Sequence, residues 1–394
     1  MAKRLLLIFM LFVVADVYFF QAFTTVIHTA FLHKVYWYLD LLLLIGVFAL
    51  IVLRQQGKDI QQLAGNLVTS FLIVFIPKLP AFPILLTEDL FRVLQNFPPR
   101  NTYLSEFVLA LALVMVLIIA FGLTRGRYLY RVREEVLSFS DLPDAFDGFK
   151  ITQISDIHSG SLSNIKAVRK GIALANAQQS DLLLFTGDLV NNKAAEMESW
   201  ISDFTSLKAP FGKFSVLGNH DYGDYTAWDS AASKASNLVR LKQIHQEMGF
   251  KLLLNESITI QKKGSSIALI GVENWGKGGF HQYGDLNKAT SGLSTDSFNI
   301  LMSHDPSHWD HVTLDHDKHV HLTLAGHTHG MQFGIELFGF KWSPIQYFYE
   351  QWAGLYQKQG KYLYVNRGFG YHGFKGRIGV WPEITVITLK KSGL

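Results

Sequence analysis

Lys150-Ile151-Thr152-Gln153-Ile154-Ser155 is an apolar, strand-like run that ends directly on Asp156-Ile157-His158. The same arrangement recurs four times toward the C-terminus. Leu182-Leu183-Leu184-Phe185-Thr186 leads into Gly187-Asp188, and Phe214-Ser215-Val216-Leu217 into Gly218-Asn219-His220-Asp221. Asn299-Ile300-Leu301-Met302 precedes Ser303-His304-Asp305, and Leu322-Thr323-Leu324-Ala325 precedes Gly326-His327-Thr328-His329. Carboxylates, imidazoles and a carboxamide thus stand repeatedly where buried strands end, the place where α/β folds build their sites. Acid oxygens and imidazole nitrogens without sulfur suit borderline-hard divalent ions such as Mn, Fe, Co or Zn. The pattern points to a binuclear metal hydrolase site.

The order D-x-H, G-D, G-N-H-[DE], a lone His and G-H-x-H resembles the calcineurin-like metallophosphoesterase superfamily, from about Phe149 to the C-terminus. A single block would mean little, but five in order make a specific signal. The tail, Tyr364-Val365-Asn366-Arg367-Gly368-Phe369-Gly370 followed by Trp381-Pro382-Glu383-Ile384-Thr385, is similar to the membrane-associated branch of that family.

The resemblance implies a four-layer α/β/β/α sandwich over 149–394, holding two divalent ions (Mn, Fe or Zn). In that scheme Asp188 bridges the pair. Asp156, His158 and His329 complete one ion, while Asn219, His304 and His327 complete the other. His220 donates a proton or hydrogen bond to the leaving oxygen, and Asp221 orients that imidazole. Two carboxylates against two divalent ions leave about two positive charges in excess, which suits a phosphate ester. One departure is visible: many members carry Gly-Gly-Gln after the last His, whereas this chain reads Gly330-Met331-Gln332. A side chain at 331 should narrow the mouth of the site without touching the ligands.

Upstream, the composition changes. At 394 residues the chain calls for two regions, and residues 1–125 are dominated by long apolar stretches. Spans are expected at 5–27, 35–53, 63–86 and 104–123, each near the ~20 residues that cross a bilayer. The first is too long for the core of a cleavable signal peptide and is followed by further spans. Pro77, Pro80 and Pro83 should break or kink the third. Residues 126–148 read as a linker and edge strand.

Lys3, Arg4, Arg54, Lys58, Arg125, Arg127, Arg131 and Arg133 fall on one side of such a bundle, and Lys34, Lys78, Arg92 and Arg100 on the other. That excess predicts a cytoplasmic catalytic domain. Asp16 is expected to hydrogen-bond to a neighbouring helix, and His28 and Asp40 to lie near an interface, with no intramembrane relay. The cluster at 125–133 reads as a basic collar attracted to anionic lipid. A formal charge of +4 does not call for nucleic acid, and zero cysteines exclude disulfides and thiolate chemistry.

In the catalytic part, Ile165, Val168, Ile172 and Ala175 carry helical spacing over 164–177, as do Leu238, Leu241, Ile244 and Met248 over 230–248. A third helix is expected over 196–207. The His/Asp-rich stretch 308–321 reads as a solvated helix or loop rather than a second metal site. The aromatic run 343–356 follows the last ligand motif and should lie beside the site, placed to hold an acyl chain or to meet the membrane interface. Lys375 and Arg377, in the Gly-rich loop 369–377, are candidate contacts for a substrate phosphate.

Together these readings describe a membrane-anchored phosphoesterase, acting on an ester or pyrophosphate bond of an amphipathic or lipid-linked substrate at the bilayer. The alternatives are a phosphatase or phosphodiesterase for a soluble nucleotide, and a non-enzymatic tethered scaffold. Oligomeric state is not readable.

Overall fold

A computed structural model describes residues 2–56 and 61–393. The chain divides into two compact units: Met1–Thr124 with Gly373–Lys375, and Arg125–His372 with Gly376–Leu394.

The first unit is helical. Among the described residues three helices, Ala30–Gln55, Leu63–Val93 and Thr102–Tyr128, are long and apolar enough to cross a membrane, and a shorter apolar helix covers Met10–Val26. The prolines act on the expected third span, but they do not end it. The helix Gln61–Phe75 passes through a 3-10 turn at Ile76–Lys78 and resumes as Ala81–Val93. Pro83 falls in the first turn of the resumed helix, where its missing N–H costs nothing.

The break delivers Lys78 to the inside of the bundle. Its ammonium lies 2.5 Å from Asp16 Oδ1 and 2.9 Å from Asp40 Oδ1, and the Tyr36 hydroxyl donates to Asp16. All four residues are buried. This corrects two expectations: Asp40 is a bundle-interior group and not an interfacial one, and Lys78 is not a loop cation. Lys58, also used for orientation, lies outside the described residues.

The second unit holds two six-stranded sheets. One runs Arg131–Phe139, Glu383–Lys391, Lys150–Ile154, Leu182–Phe185, Lys213–Ser215, Phe250–Leu252; the other runs Gly354–Lys358, Lys361–Val365, Leu322–Ala325, Asn299–Met302, Ser265–Gly271, Glu256–Lys262. Side chains alternate across a strand, and Leu182–Phe185 shows the result. Leu182 and Leu184 enter a core shared with Leu269, Ile300 and Leu324 of the other sheet. Leu183 and Phe185 face outward to Val168, Ile172, Leu241 and Ile244 of two covering helices. The second sheet buries its outer face under Leu286 and Ala289. The layers are therefore α/β/β/α. Leu184 is fully buried, so Leu184→Ala should cost about 2–5 kcal/mol in thermal or denaturant unfolding.

The covering helices begin where the caps are. Asn164 accepts from the Ala167 N–H at the start of Ile165–Ala177, and Ser230 from the Ser233 N–H at the start of Ala231–Glu247. The third expected helix is broken instead into short 3-10 turns and the helix Ile201–Thr205. Residues 308–321 are not simply solvated: His308 is fully buried against Ser303 Oγ, and His321 bonds Asp141.

Candidate metal centre

Parallel strands bring their C-terminal ends together, and the five polar runs meet there. Around one point the structure groups Asp156, His158 and His329; around a second it groups Asp188, His304 and His327. Asp188 Oδ2 stands 3.4 Å from His158 Nε2 and 3.2 Å from His304 Nε2, so one oxygen borders both groups. Asn219 Oδ1 joins the second group, 2.9 Å from His327 Nδ1.

The backbone is strained to do this. Asp156, His158, Asp188, His327 and His329 all adopt left-handed φ, at 52°, 44°, 58°, 70° and 50°. Such conformations are costly for residues with a side chain and cluster at functional sites. Gly326 permits a close approach: a Cβ there would meet Ser155 Oγ at 2.0 Å and Asp156 Oδ2 at 2.2 Å. Gly326→Ala should therefore cost about 1–3 kcal/mol as an overpacked site. It should also weaken metal retention, which thermal unfolding with and without added Mn²⁺ would reveal as a smaller metal-induced shift.

Hydrogen bonding shows whether the donors suit cations. His158 Nδ1 faces Asn191 Oδ1 at 3.1 Å, and His304 Nδ1 faces the Thr186 carbonyl at 2.7 Å. Both Nδ1 atoms thus carry a proton, and each Nε2 faces inward as the atom that can take a metal ion or a second proton. His327 Nε2 meets the Tyr349 hydroxyl at 2.8 Å, which in turn donates to Asp305; its Nδ1 is the inward lone pair. Asn219 donates through Nδ2 to Tyr225, leaving its oxygen inward. Acceptor therefore opposes acceptor across the 2.9 Å between His327 and Asn219. His158 and His329 present Nε2 atoms 3.0 Å apart. A divalent ion bonded at ~2.0–2.2 Å would turn the His327–Asn219 pair into a coordination edge.

Electrostatics agree. Burial alone would raise the Asp188 carboxyl, yet the surrounding imidazoles, led by His304, hold it well below the usual range. Burial opposes a proton on His304, but Asp188 outweighs it and lifts the imidazole to about 10. Positive charge is wanted at that point. His158 is driven the other way by burial and stays neutral. The residues fit a divalent metal centre.

His220 lies at the rim. Its Nδ1 is engaged by the Asn191 carbonyl at 2.8 Å, which leaves Nε2 for a substrate oxygen. Asp221 does not hold this imidazole. Its carboxylate is turned back to accept the N–H groups of Gly218, Asp188 and Leu189, fixing the loop that carries Asp188. Burial, and then Asp188, raise that carboxyl to about 7.

One of the two loop cations falls differently from expectation. Arg377 is fully buried: its Nε and Nη2 donate to the Gly370 and Gly368 carbonyls, Nη2 lies 3.3 Å from His329 Nδ1, and Nη1 has no hydrogen-bond partner among the described residues. Lys375 is grouped with the first compact unit.

Several side chains at the centre carry no motif. His372 stacks on His158 at 4.8 Å and lies 4.4 Å from His220, ring centre to ring centre. Burial, with His220 and His329 nearby, pushes it down to about 3 and keeps it neutral. Its backbone is clasped by Gln332, which gives and takes a hydrogen bond. Tyr349 and Asp305 orient His327. The exposed side chain at Met331 sits beside ligands that it does not displace. Next to Asn219, a cavity of about 210 Å³ is lined by Tyr222, Asp224, Tyr225, Asn274 and Phe280 among others.

Fold and site define a membrane protein with a metal-dependent phosphoester hydrolase domain. Comparison with known proteins is specific on this point. Residues 149–331 match the calcineurin-like phosphoesterase family model, and residues 3–127 match the model described as the probable calcineurin-like phosphoesterase transmembrane domain. An uncharacterized metallophosphoesterase of Bacillus subtilis, YkuE, is 32% identical over 67% of this chain and 87% of its own length. A transmembrane protein with metallophosphoesterase domain from Danio rerio is 27% identical over 73% of this chain, which spans 63% of that protein. The UDP-2,3-diacylglucosamine pyrophosphatase LpxG of Chlamydia muridarum is 26% identical over 61% of this chain and 83% of its own length. The chain belongs to the calcineurin-like metallophosphoesterase family.

Proposed function

We propose that this protein hydrolyses a phosphate ester or pyrophosphate bond of an amphipathic, lipid-linked substrate at the membrane surface, using two divalent ions. The observation that carries the reading is the single oxygen Asp188 Oδ2 placed between two sets of inward-facing donors. Ions held there would polarise the phosphoryl group and make a water acidic.

The chain's own groups have separate tasks. Asp156, His158 and His329 hold one ion; Asn219, His304 and His327 hold the other; Asp188 serves both. The Asn191 carbonyl accepts from His220 Nδ1–H and orients the ring, so that its imidazolium form would present a second N–H, on Nε2, to the leaving oxygen. Tyr349 and Asp305 fix the His327 ring, and His372 closes one wall. His220→Ala should retain metal and lose about 10²–10⁴-fold in turnover, the range of a general acid. Metal content and rate on the same sample would decide: equal metal loss with Asp188 variants would refute the role.

Two facts support a lipid-linked substrate. The chain carries its own apolar helices, more than a simple tether needs, and one relative is named as a pyrophosphatase of a diacylated sugar nucleotide. The polar cavity beside Asn219 suits a hydroxylated head group. Turnover of detergent-solubilised lipid phosphates by the purified full chain with Mn²⁺ should exceed that of soluble nucleotides. A preference for nucleotides would sink the lipid assignment, and no turnover of either class or of dye esters would favour the scaffold.

We place the catalytic unit in the cytoplasm. With Lys78 counted as an interior residue, the cations at the span ends still favour the side bearing Arg125, Arg127, Arg131 and Arg133. Reporter fusions after Arg133 and within residues 54–58 should both report cytoplasm; an external signal at Arg133 would reverse the topology.

A further inference from the structure

Between the last ligand motif and the aromatic run, a two-stranded hairpin pairs Ile335–Leu337 with Phe340–Trp342. It is built inside out. Ile335, Leu337 and Phe340 are 50%, 58% and 60% exposed. The charged Glu336 points inward instead, to Arg133 at 2.5 Å and Arg367 at 2.7 Å. A soluble hairpin places its polar side chains in water and its apolar ones on the core.

The turn is more telling. Phe338 and Gly339 both have positive φ, 49° and 83°, the backbone of a two-residue turn that favours Asn-Gly. Here the first position is Phe, 99% exposed. Backbone strain is spent on holding an aromatic ring out at the tip. Tyr347 and Phe348, 74% and 76% exposed, extend the apolar surface from the neighbouring turn.

The place of the hairpin in the chain names the occupant. Glu336 is tied to Arg133, the third residue of the strand Arg131–Phe139. The last apolar helix ends at Thr124, and residues 125–130 can extend no more than ~20 Å. The root of the hairpin is therefore tied to the strand that follows the last apolar helix within a few residues of chain. The same short segment carries Arg125, Arg127 and Arg131, which attract anionic lipid. A bilayer is thus the apolar partner present at high local concentration.

We propose that the hairpin tip, Leu337-Phe338-Gly339-Phe340, inserts into the interfacial layer of the membrane that the chain itself spans. In the chain the hairpin begins six positions after His329, so the tip and a ligand of the metal centre are carried on one short segment. A lipid-linked substrate would reach the site along it without fully leaving the bilayer. This last step rests on the reading of function above; the insertion does not.

The absence of cysteine makes the test direct. Phe338→Cys in the full chain, labelled with an environment-sensitive fluorophore and reconstituted in phosphatidylcholine–phosphatidylglycerol nanodiscs, is compared with Lys263→Cys at an exposed turn. Doxyl-labelled lipid should quench about half or more of the emission at 338, because an interfacial element sits ~5–10 Å deep, and should leave 263 nearly unchanged. Equal quenching at the two positions would overturn the proposal. So would a blue-shifted label at 338 that lipid quenchers cannot reach, since that means a protein contact. A parallel assay separates the two readings. Phe338→Asp should keep turnover of a soluble dye ester and lose about ten-fold on a bilayer-embedded lipid phosphate, the cost of one lost apolar anchor. If wild type ignores the lipid phosphate, the substrate reading fails while the quenching result still stands.

Discussion

Asp188→Asn should leave the protein folded and reduce turnover by at least about 10³-fold, because in the proposed site one side chain would serve both ions and each would supply several kcal/mol of charge stabilisation. The substitution keeps the shape of the side chain and removes its charge, so the inward donors lose the carboxylate that balances two cations. Metal analysis of the purified variant should give well under the wild-type content. His304 should behave oddly in consequence: with Asp188 neutral, the group that holds its imidazole up near 10 is gone. If the variant binds a full complement of metal and turns over normally, the bridging assignment is wrong.

Lys78→Met should destabilise the helical unit by about 3–5 kcal/mol, the cost of removing one partner from a buried ionic group. Two carboxylates, Asp16 and Asp40, would be left at hydrocarbon depth with one hydroxyl between them. Thermal unfolding in detergent micelles would show the loss as a lower midpoint. The triple variant Asp16→Asn, Asp40→Asn, Lys78→Met should recover most of it. An unchanged midpoint in Lys78→Met would mean that the triad does not hold the bundle.

The five polar runs were legible because each is local: a strand ends, and the next two or three residues turn into the site. The same locality made Leu182–Phe185 readable, since its alternation sends neighbours to opposite layers. What could not be read joins distant residues. Lys78 meets Asp16 and Asp40 across three helices, and only the break at Ile76–Pro80 turns it inward. Tyr349 and His372 come from loops whose sequence carries no ligand pattern, though the aromatic run containing Tyr349 did point to the neighbourhood. Adjacency misled in one case. Asp221 follows His220 in the chain, but the 3-10 turn points its carboxylate at the Asp188 loop. Arg377 misled in another: a cation in a Gly-rich loop reads as exposed, yet the loop folds over it and supplies carbonyls.

The ionic triad has a consequence for biogenesis. A ribosome delivers the helix bearing Asp16 first and the helix bearing Asp40 second, while Lys78 has not yet been made. Each carboxylate costs roughly 2.5–3.5 kcal/mol at the centre of an isolated helix in lipid, so neither helix rests comfortably alone. The third segment arrives with a cation at its own break that meets both carboxylates at once. Insertion of this bundle should thus be concerted, with the early helices retained at the translocon until residue 78 emerges. A chain truncated before that residue would be a substrate for quality control, not a stable fragment.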